Sequence, residues 1–314
     1  MTDDNLGPPC KCAPTVTAVI PTRNRPELVT RAVRSALGQT YQQMEVVVVI
    51  DGPDAVTIDQ LAKLSDDRVR VITLPKSVGG ASARNAGVEA ARGMWIALLD
   101  DDDEWLPDKI DLQMKRARNS RFRYPIVGTQ LFGRGNQYKV VWPRVTPYEP
   151  LSEYLLARSS WSYGEGLMSS ITLLFPKELF CQVPFRPGLR RHQDLDWVLR
   201  ATKLDGAGIE FISQPLAVWN IAEERSSVSS GTDWQTSLDW INSVRDLITP
   251  RAYASFIATS LSPQAARLHD WKAFPLLFKT MVERGRPSFR DVLLYLGMWF
   301  VPRKVRRAVR KANW

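Results

Sequence analysis

Met94-Trp-Ile-Ala-Leu-Leu-Asp-Asp-Asp-Asp-Glu-Trp105 decides how the rest of the chain is read. Trp95 to Leu99 is an apolar run too short for a lone helix and suited to a strand buried on both faces. It stops at Asp100, where four successive carboxylates, Asp100 to Asp103, repel one another and require a cation among them. A hard divalent ion, Mg²⁺ or Mn²⁺, meets that need, because such ions take oxygen ligands and complete their shell with substrate phosphates. The competing reading is a solvated acidic turn capping a helix that begins near Pro107.

Upstream of this stretch the pattern is strand, loop, helix, repeated. Val16 to Ile20 reads as a strand closed by Pro21-Thr22-Arg23-Asn24-Arg25-Pro26, after which Leu28, Val29, Ala32, Val33, Ala36 and Leu37 recur at helical spacing. Val46 to Ile50, ending at Asp51-Gly52, and Val69 to Leu74 are further strands, and helices are expected over 56–64 and 81–91, the latter opened by Gly79-Gly80. Such repeats predict an α/β fold with a mainly parallel sheet and helices on both faces, binding its ligand beyond the carboxyl ends of the strands. That rule gathers Thr22, Arg23, Arg25, Asp51, Gly80, Arg84 and Asp100 to Asp103 on one rim. Cations, permissive glycines, a helix N-terminus and carboxylates together suit a diphosphate. Neither a P-loop nor a dinucleotide Gly-x-Gly-x-x-Gly turn is present.

Four blocks, Val19-Ile-Pro-Thr-Arg-Asn-Arg-Pro26, Val49-Ile-Asp-Gly52, Gly80-Ala-Ser-Ala-Arg-Asn-Ala-Gly87 and Leu99-Asp-Asp-Asp-Asp-Glu-Trp-Leu-Pro107, resemble glycosyltransferase family 2, which has the GT-A fold. The likeness covers roughly residues 15 to 225. It implies that Pro21, Thr22, Arg23, Arg25 and Asp51 hold the nucleotide base, and that Gly80 and Arg84 lie by the nucleotide or its phosphates. It also turns Asp100 and Asp101 towards the ribose and the metal's waters and makes Asp102 the direct metal ligand. Gln193-Asp194-Leu195-Asp196-Trp197 is similar to the acidic pair that marks the family's general base, which falls on Asp194, with Gln193 where the family commonly has Glu. Asp196 is read instead as the i+4 partner of Arg200. His192 and Trp161 are candidates for contact with acceptor, and Arg225 with Ser226 to Ser229 for a lid over the diphosphate. The family often shows a His near the metal, and 219–229 contains none.

The second half is expected to hold strands over Ile126–Leu131, Lys139–Trp142, Ser169–Phe175, Ile209–Ile212 and Leu216–Trp219, then helices from Asp233. The organisation follows: a loose lead-in over 1–14, a nucleotide-sugar-binding part over 15–121, an acceptor and base part over 122–230, and a helical appendage over 231–314. With 314 residues, 44% hydrophobic and 24% charged, the chain has ample material for a packed core. No apolar run reaches the roughly 20 residues a membrane span needs, the first residues lack a secretory pattern, and three cysteines make no disulfide framework. A reducing cytoplasm is the expected compartment. The net charge of +9 owes much to Arg303, Lys304, Arg306, Arg307, Arg310 and Lys311. Because the apolar, aromatic segment Val292 to Val301 precedes them, an anionic inner-membrane surface fits better than nucleic acid, with an ordinary amphipathic helix as the bland alternative.

The function expected is that of a metal-dependent inverting glycosyltransferase using a nucleotide-diphosphate sugar, UDP-linked by the resemblance. Its acceptor is the hydroxyl of a glycan or a polyprenyl-linked glycan in bacterial surface polysaccharide synthesis, and it works at the cytoplasmic face of the membrane. Two alternatives stay open: an inactive nucleotide-binding or membrane-docking scaffold of the same fold, and a sugar nucleotidyltransferase. The latter usually carries a Gly-rich loop with Arg and Lys after the first strand, where this chain has Pro21-Thr22-Arg23-Asn24.

Overall fold

The apolar runs of the first half form parallel strands, and helices cover both of their faces. The computed structural model describes residues 15–135, 139–158, 160, 166–220, 233–302 and 304–306. Strands β1 (Val16–Thr22), β2 (Met44–Ile50), β3 (Val69–Thr73) and β4 (Trp95–Leu98) lie parallel in the order β3-β2-β1-β4. Helices α1 (Pro26–Leu37), α2 (Ala55–Ala62) and α3 (Gly80–Ala90) connect them in turn. The pleat sends alternate side chains to opposite layers. Ala18, Ile20, Val46, Val48 and Leu99 pack with Val29 and Val33 of α1, whereas Val19, Ile96 and Leu98 pack with Ala81 and Val88 of α3. Because the chain passes to the other side of β1 between β3 and β4, the strand order reverses at β1/β4. A crevice is expected there, beyond the carboxyl ends.

The sheet then turns mixed. Next come β5 (Glu104–Trp105), α4 (Lys109–Arg118), β6 (Tyr124–Arg134), β7 (Lys139–Trp142) and α5 (Leu151–Leu156). They are followed by β8 (Leu174–Pro176), α6 (Lys177–Gln182), α7 (Gln193–Ala201) and β9 (Ala207–Asn220). The path continues β4-β8-β6-β9-β5, with β8 antiparallel to both neighbours, β6 parallel to β9, and β7 antiparallel on β6. Two expectations need correction. Ser169 to Phe175 is not one strand: Ser170–Thr172 is a 3₁₀ turn and only Leu174 onward joins the sheet. The two short strands expected over 209–219 are a single strand, β9, whose register against β6 slips around Thr129 to Leu131.

Beyond residue 232 the described chain is helical: α8 (Trp234–Ser243), α9 (Pro250–Phe256), α10 (Ser262–Arg267), α11 (Ala273–Arg284) and α12 (Phe289–Phe300). Their core of Trp240, Tyr253, Leu277 and Tyr295 also takes in Leu156 of α5 and Leu199 of α7, so the appendage is welded to the α/β body. Among the described residues no helix is long and apolar enough to cross a membrane.

Candidate active site

The acidic turn leaves β4 beside the end of β1, and its side chains alternate. Asp101 is turned inward, accepting the Thr22 hydroxyl at 2.8 Å and Arg25 Nη1 at 3.0 Å, with 9% of its side chain exposed. Asp103 is buried too and accepts the Asn220 N–H at 2.9 Å. Asp100 and Asp102 are the open pair, 32% and 22% exposed. Burial raises the pKa of Asp101 despite the opposing pull of Arg25 and Thr22. Arg25 also reaches Asp102 at 3.3 Å, while Arg31 Nη2 and Asn220 Nδ2 donate to the Asp102 carbonyl at 2.8 and 2.9 Å. The end of β1, the first helix and the last residue of β9 thus fix this turn.

Pro21 and Thr22 close β1, and Arg23 stands exposed on the rim just after it. Asp51, at the end of β2, organises the loop before α3. It accepts the Ser77 hydroxyl at 2.8 Å and the Val78 and Gly79 N–H groups at 2.6 and 3.0 Å. Gly79 has φ +85°, a conformation that side chains rarely adopt, and a Cβ on Gly80 would come within 3.3 Å of Arg84 Nη1. The glycine therefore leaves room for the arginine.

Arg84 is nearly buried and ties the acidic turn to the first residue of α7. Its Nη2 pairs with Asp100, its Nη1 donates to Gln193 Oε1 at 2.7 Å, and its guanidinium lies over the Phe185 ring. Burial opposes its charge, but Asp100, Asp194 and Asp101 outweigh that and hold its pKa above the usual value. Asp194, in the first turn of α7, accepts the Ser170 N–H at 2.9 Å. Burial pushes the Asp194 carboxyl above the ordinary carboxylate range and Asp100 adds to the effect, while Arg84 and Ser170 restrain it. A carboxylate so tuned suits proton abstraction better than an exposed one. The Ser170 hydroxyl lies 3.5 Å from Asp100, completing a second link between the two acids.

Asp196 points the other way, paired with Arg200 at 2.8 Å and Arg186 at 3.3 Å and accepting Trp240 Nε1 at 3.2 Å. His192 is not brought to the acidic turn. Its left-handed backbone, φ 61°, lays the ring against Trp240 at 4.4 Å and Nε2 against the Ser237 hydroxyl at 3.0 Å, and burial lowers its pKa to about 4. Trp161, Arg225, Ser226 to Ser229 and the cations Arg303, Arg307, Arg310 and Lys311 lie outside the described residues. Ser170, Arg31 and Asn220 are site-building residues that the motifs did not single out. Among the described residues no three His, Cys, Asp or Glu side chains converge as metal ligands. The half-buried carboxylate of Asp102, which Arg25 also reaches, does fit a hard ion that takes one or two protein carboxylates and fills its shell with phosphate and water.

Cations and acids thus gather at the carboxyl ends of the parallel strands β1, β2 and β4, and Ser170 links them to the α7 carboxylate Asp194. Residues 17–180 match the model for glycosyl transferase family 2, and the chain belongs to that family. It is 28% identical over 253 residues to the amylovoran biosynthesis glycosyltransferase AmsB of Erwinia amylovora, covering 77% of this chain and 82% of the relative. It is 32% identical over 111 residues to UDP-Glc:alpha-D-GlcNAc-diphosphoundecaprenol beta-1,3-glucosyltransferase WfgD of Escherichia coli, covering 35% and 44%. The structure of S. aureus TarS 1-349 in complex with UDP-GlcNAc shares the fold, with a TM-score of 0.58 and 16% identity over 94% of this chain and 92% of that one.

Proposed function

We propose that this glycosyltransferase moves a sugar from a UDP-sugar to a hydroxyl of a glycan or polyprenyl-diphosphate-linked glycan, with inversion, in surface polysaccharide synthesis. The observation that carries the reading is that Asp194 is linked to Asp100 of the acidic turn through Ser170, with Arg84 paired to Asp100 beside them. In this reading the end of β1 and Asp51 frame the base, while Arg25 and Arg84 offset charge on the diphosphate. Asp194 takes the proton of the acceptor hydroxyl as its oxygen bonds to the anomeric carbon. The bond from that carbon to the phosphate oxygen breaks, and its electron pair leaves with UDP. Asp102, with Asp100 and Asp101 behind it, would hold Mn²⁺ or Mg²⁺, which as a Lewis acid neutralises negative charge on the leaving diphosphate.

The lipid-linked acceptor is supported by the name of the WfgD relative and the polysaccharide setting by that of AmsB. A working position at the cytoplasmic membrane surface is supported by the basic C-terminal sequence. A panel of nucleotide sugars tested for thermal stabilisation with and without Mn²⁺ decides the donor, because a ligand of the native state raises its melting temperature by mass action. Metal-dependent stabilisation by a UDP-sugar is the expected result. Stabilisation by none of the panel would remove the reading.

A further inference from the structure

Seventeen large apolar side chains are exposed among the described residues, and nine of them fall between Leu268 and Val305. Scattered apolar residues need no explanation, but Trp271 and Phe300 are exposed together and call for one. Trp271 and Phe300 stand 6.3 Å apart at a cavity of about 590 Å³ between the ends of α10 and α12, walled by Met298 and Val301 and edged by Arg267 and Arg306. Lys272 and Lys304 are exposed nearby in sequence. Asp270, the carboxylate next to Trp271, accepts the Trp234 indole N–H at 3.2 Å. No acidic residue follows Asp291 in the sequence, which ends in further arginines and lysines.

We propose that this face of the helical layer docks on an anionic phospholipid bilayer. Trp271 and Phe300 enter the headgroup zone, and Arg267, Lys272 and Lys304 meet lipid phosphates. The inference rests on the membrane-surface reading above and adds the site that makes contact. Cations around exposed indole and phenyl rings match the chemistry of a negatively charged interface, which draws the charges in and accepts the rings. The face is also tied to the catalytic body. Gln264 of α10 accepts from Arg191 at 2.9 Å, two residues before α7. Docking would thereby hold Asp194 at a set depth relative to a lipid-borne acceptor.

Flotation of the full-length chain with vesicles of phosphatidylcholine, alone or mixed with phosphatidylglycerol, tests this. Wild type should partition to the anionic vesicles about tenfold more strongly, and Arg267→Glu should lose roughly fivefold. The double variant Trp271→Ser/Phe300→Ser should lose about tenfold, with stabilisation by UDP unchanged. Bromine-labelled lipid should quench wild-type tryptophan emission more than that of Trp271→Phe. Equal partition of wild type and the double variant would overturn the patch while leaving membrane association by the basic tail intact. No binding to anionic vesicles would overturn both and leave the transferase reading standing on UDP stabilisation. A dimer in solution that Trp271→Ser dissolves would assign the patch to a second copy and overturn it too.

Discussion

Ser170 gives its backbone N–H to Asp194 at 2.9 Å and sets its hydroxyl 3.5 Å from Asp100, so one short turn spans the two acids of the cleft. Burial raises the Asp194 pKa above 3.8. A base works deprotonated, so kcat should fall as pH drops through that raised value, and the loss should begin at a higher pH than an exposed aspartate would cause. A pH–rate profile under saturating donor checks this, and an acid limb no higher than the ordinary carboxylate value would count against Asp194.

Arg84→Lys should separate charge from geometry. A lysine keeps the positive charge but cannot serve Asp100 and Gln193 Oε1 with two fixed donors. Turnover should drop about 100-fold. Because the lysine keeps the positive charge that restrains the Asp194 pKa, the acid limb should stay near its wild-type pH.

The two kinds of aspartate in the turn should respond differently. Asp102→Ala should abolish Mn²⁺-dependent stabilisation by UDP with the melting temperature of the free protein near that of wild type. Thr22→Val leaves the buried Asp101 carboxylate one donor short and should cost about 1–3 kcal/mol of stability, read by denaturant unfolding.

His192 is held neutral, with a folded pKa of about 4 against 6.5 unfolded. Between those values the unfolded chain binds more protons, so this residue's share of stability is present above pH 6.5 and is lost as pH falls towards 4. His192→Asn tolerates the left-handed backbone and carries no titrating ring. Its melting temperature should fall less between pH 7 and pH 5 than that of wild type.

The fold was legible wherever strands are apolar on both faces. Val46 to Ile50 has no other stable reading, and the rule of carboxyl ends then brought Thr22, Arg25, Arg84 and Asp100 together. Gly87 illustrates a motif residue whose reason appears only in three dimensions: a Cβ there would lie 2.4 Å from Val19 Cγ1, so α3 could not pack as closely on the sheet. Ser169 to Phe175 reads as a strand by composition, but Ser170 turns because its N–H is taken by an acceptor 24 residues away. Asn220 looks like the polar end of a strand, and its link to Asp103 spans 117 residues of sequence. His192 adjoins the base in sequence, yet its backbone carries the ring to Trp240 instead. Contacts set by distant partners leave no periodic trace.

In the proposed reaction Asp194 removes the acceptor's proton while the acidic turn holds the nucleotide. Asp194→Asn keeps an acceptor for the Ser170 N–H, so the fold and UDP binding should persist. The direct measurement is UDP release in the presence of acceptor, beside UDP-induced thermal stabilisation, for this variant and wild type. Turnover lower by about 10²–10⁴ with stabilisation unchanged is the predicted result. Wild-type turnover in the variant would contradict the account.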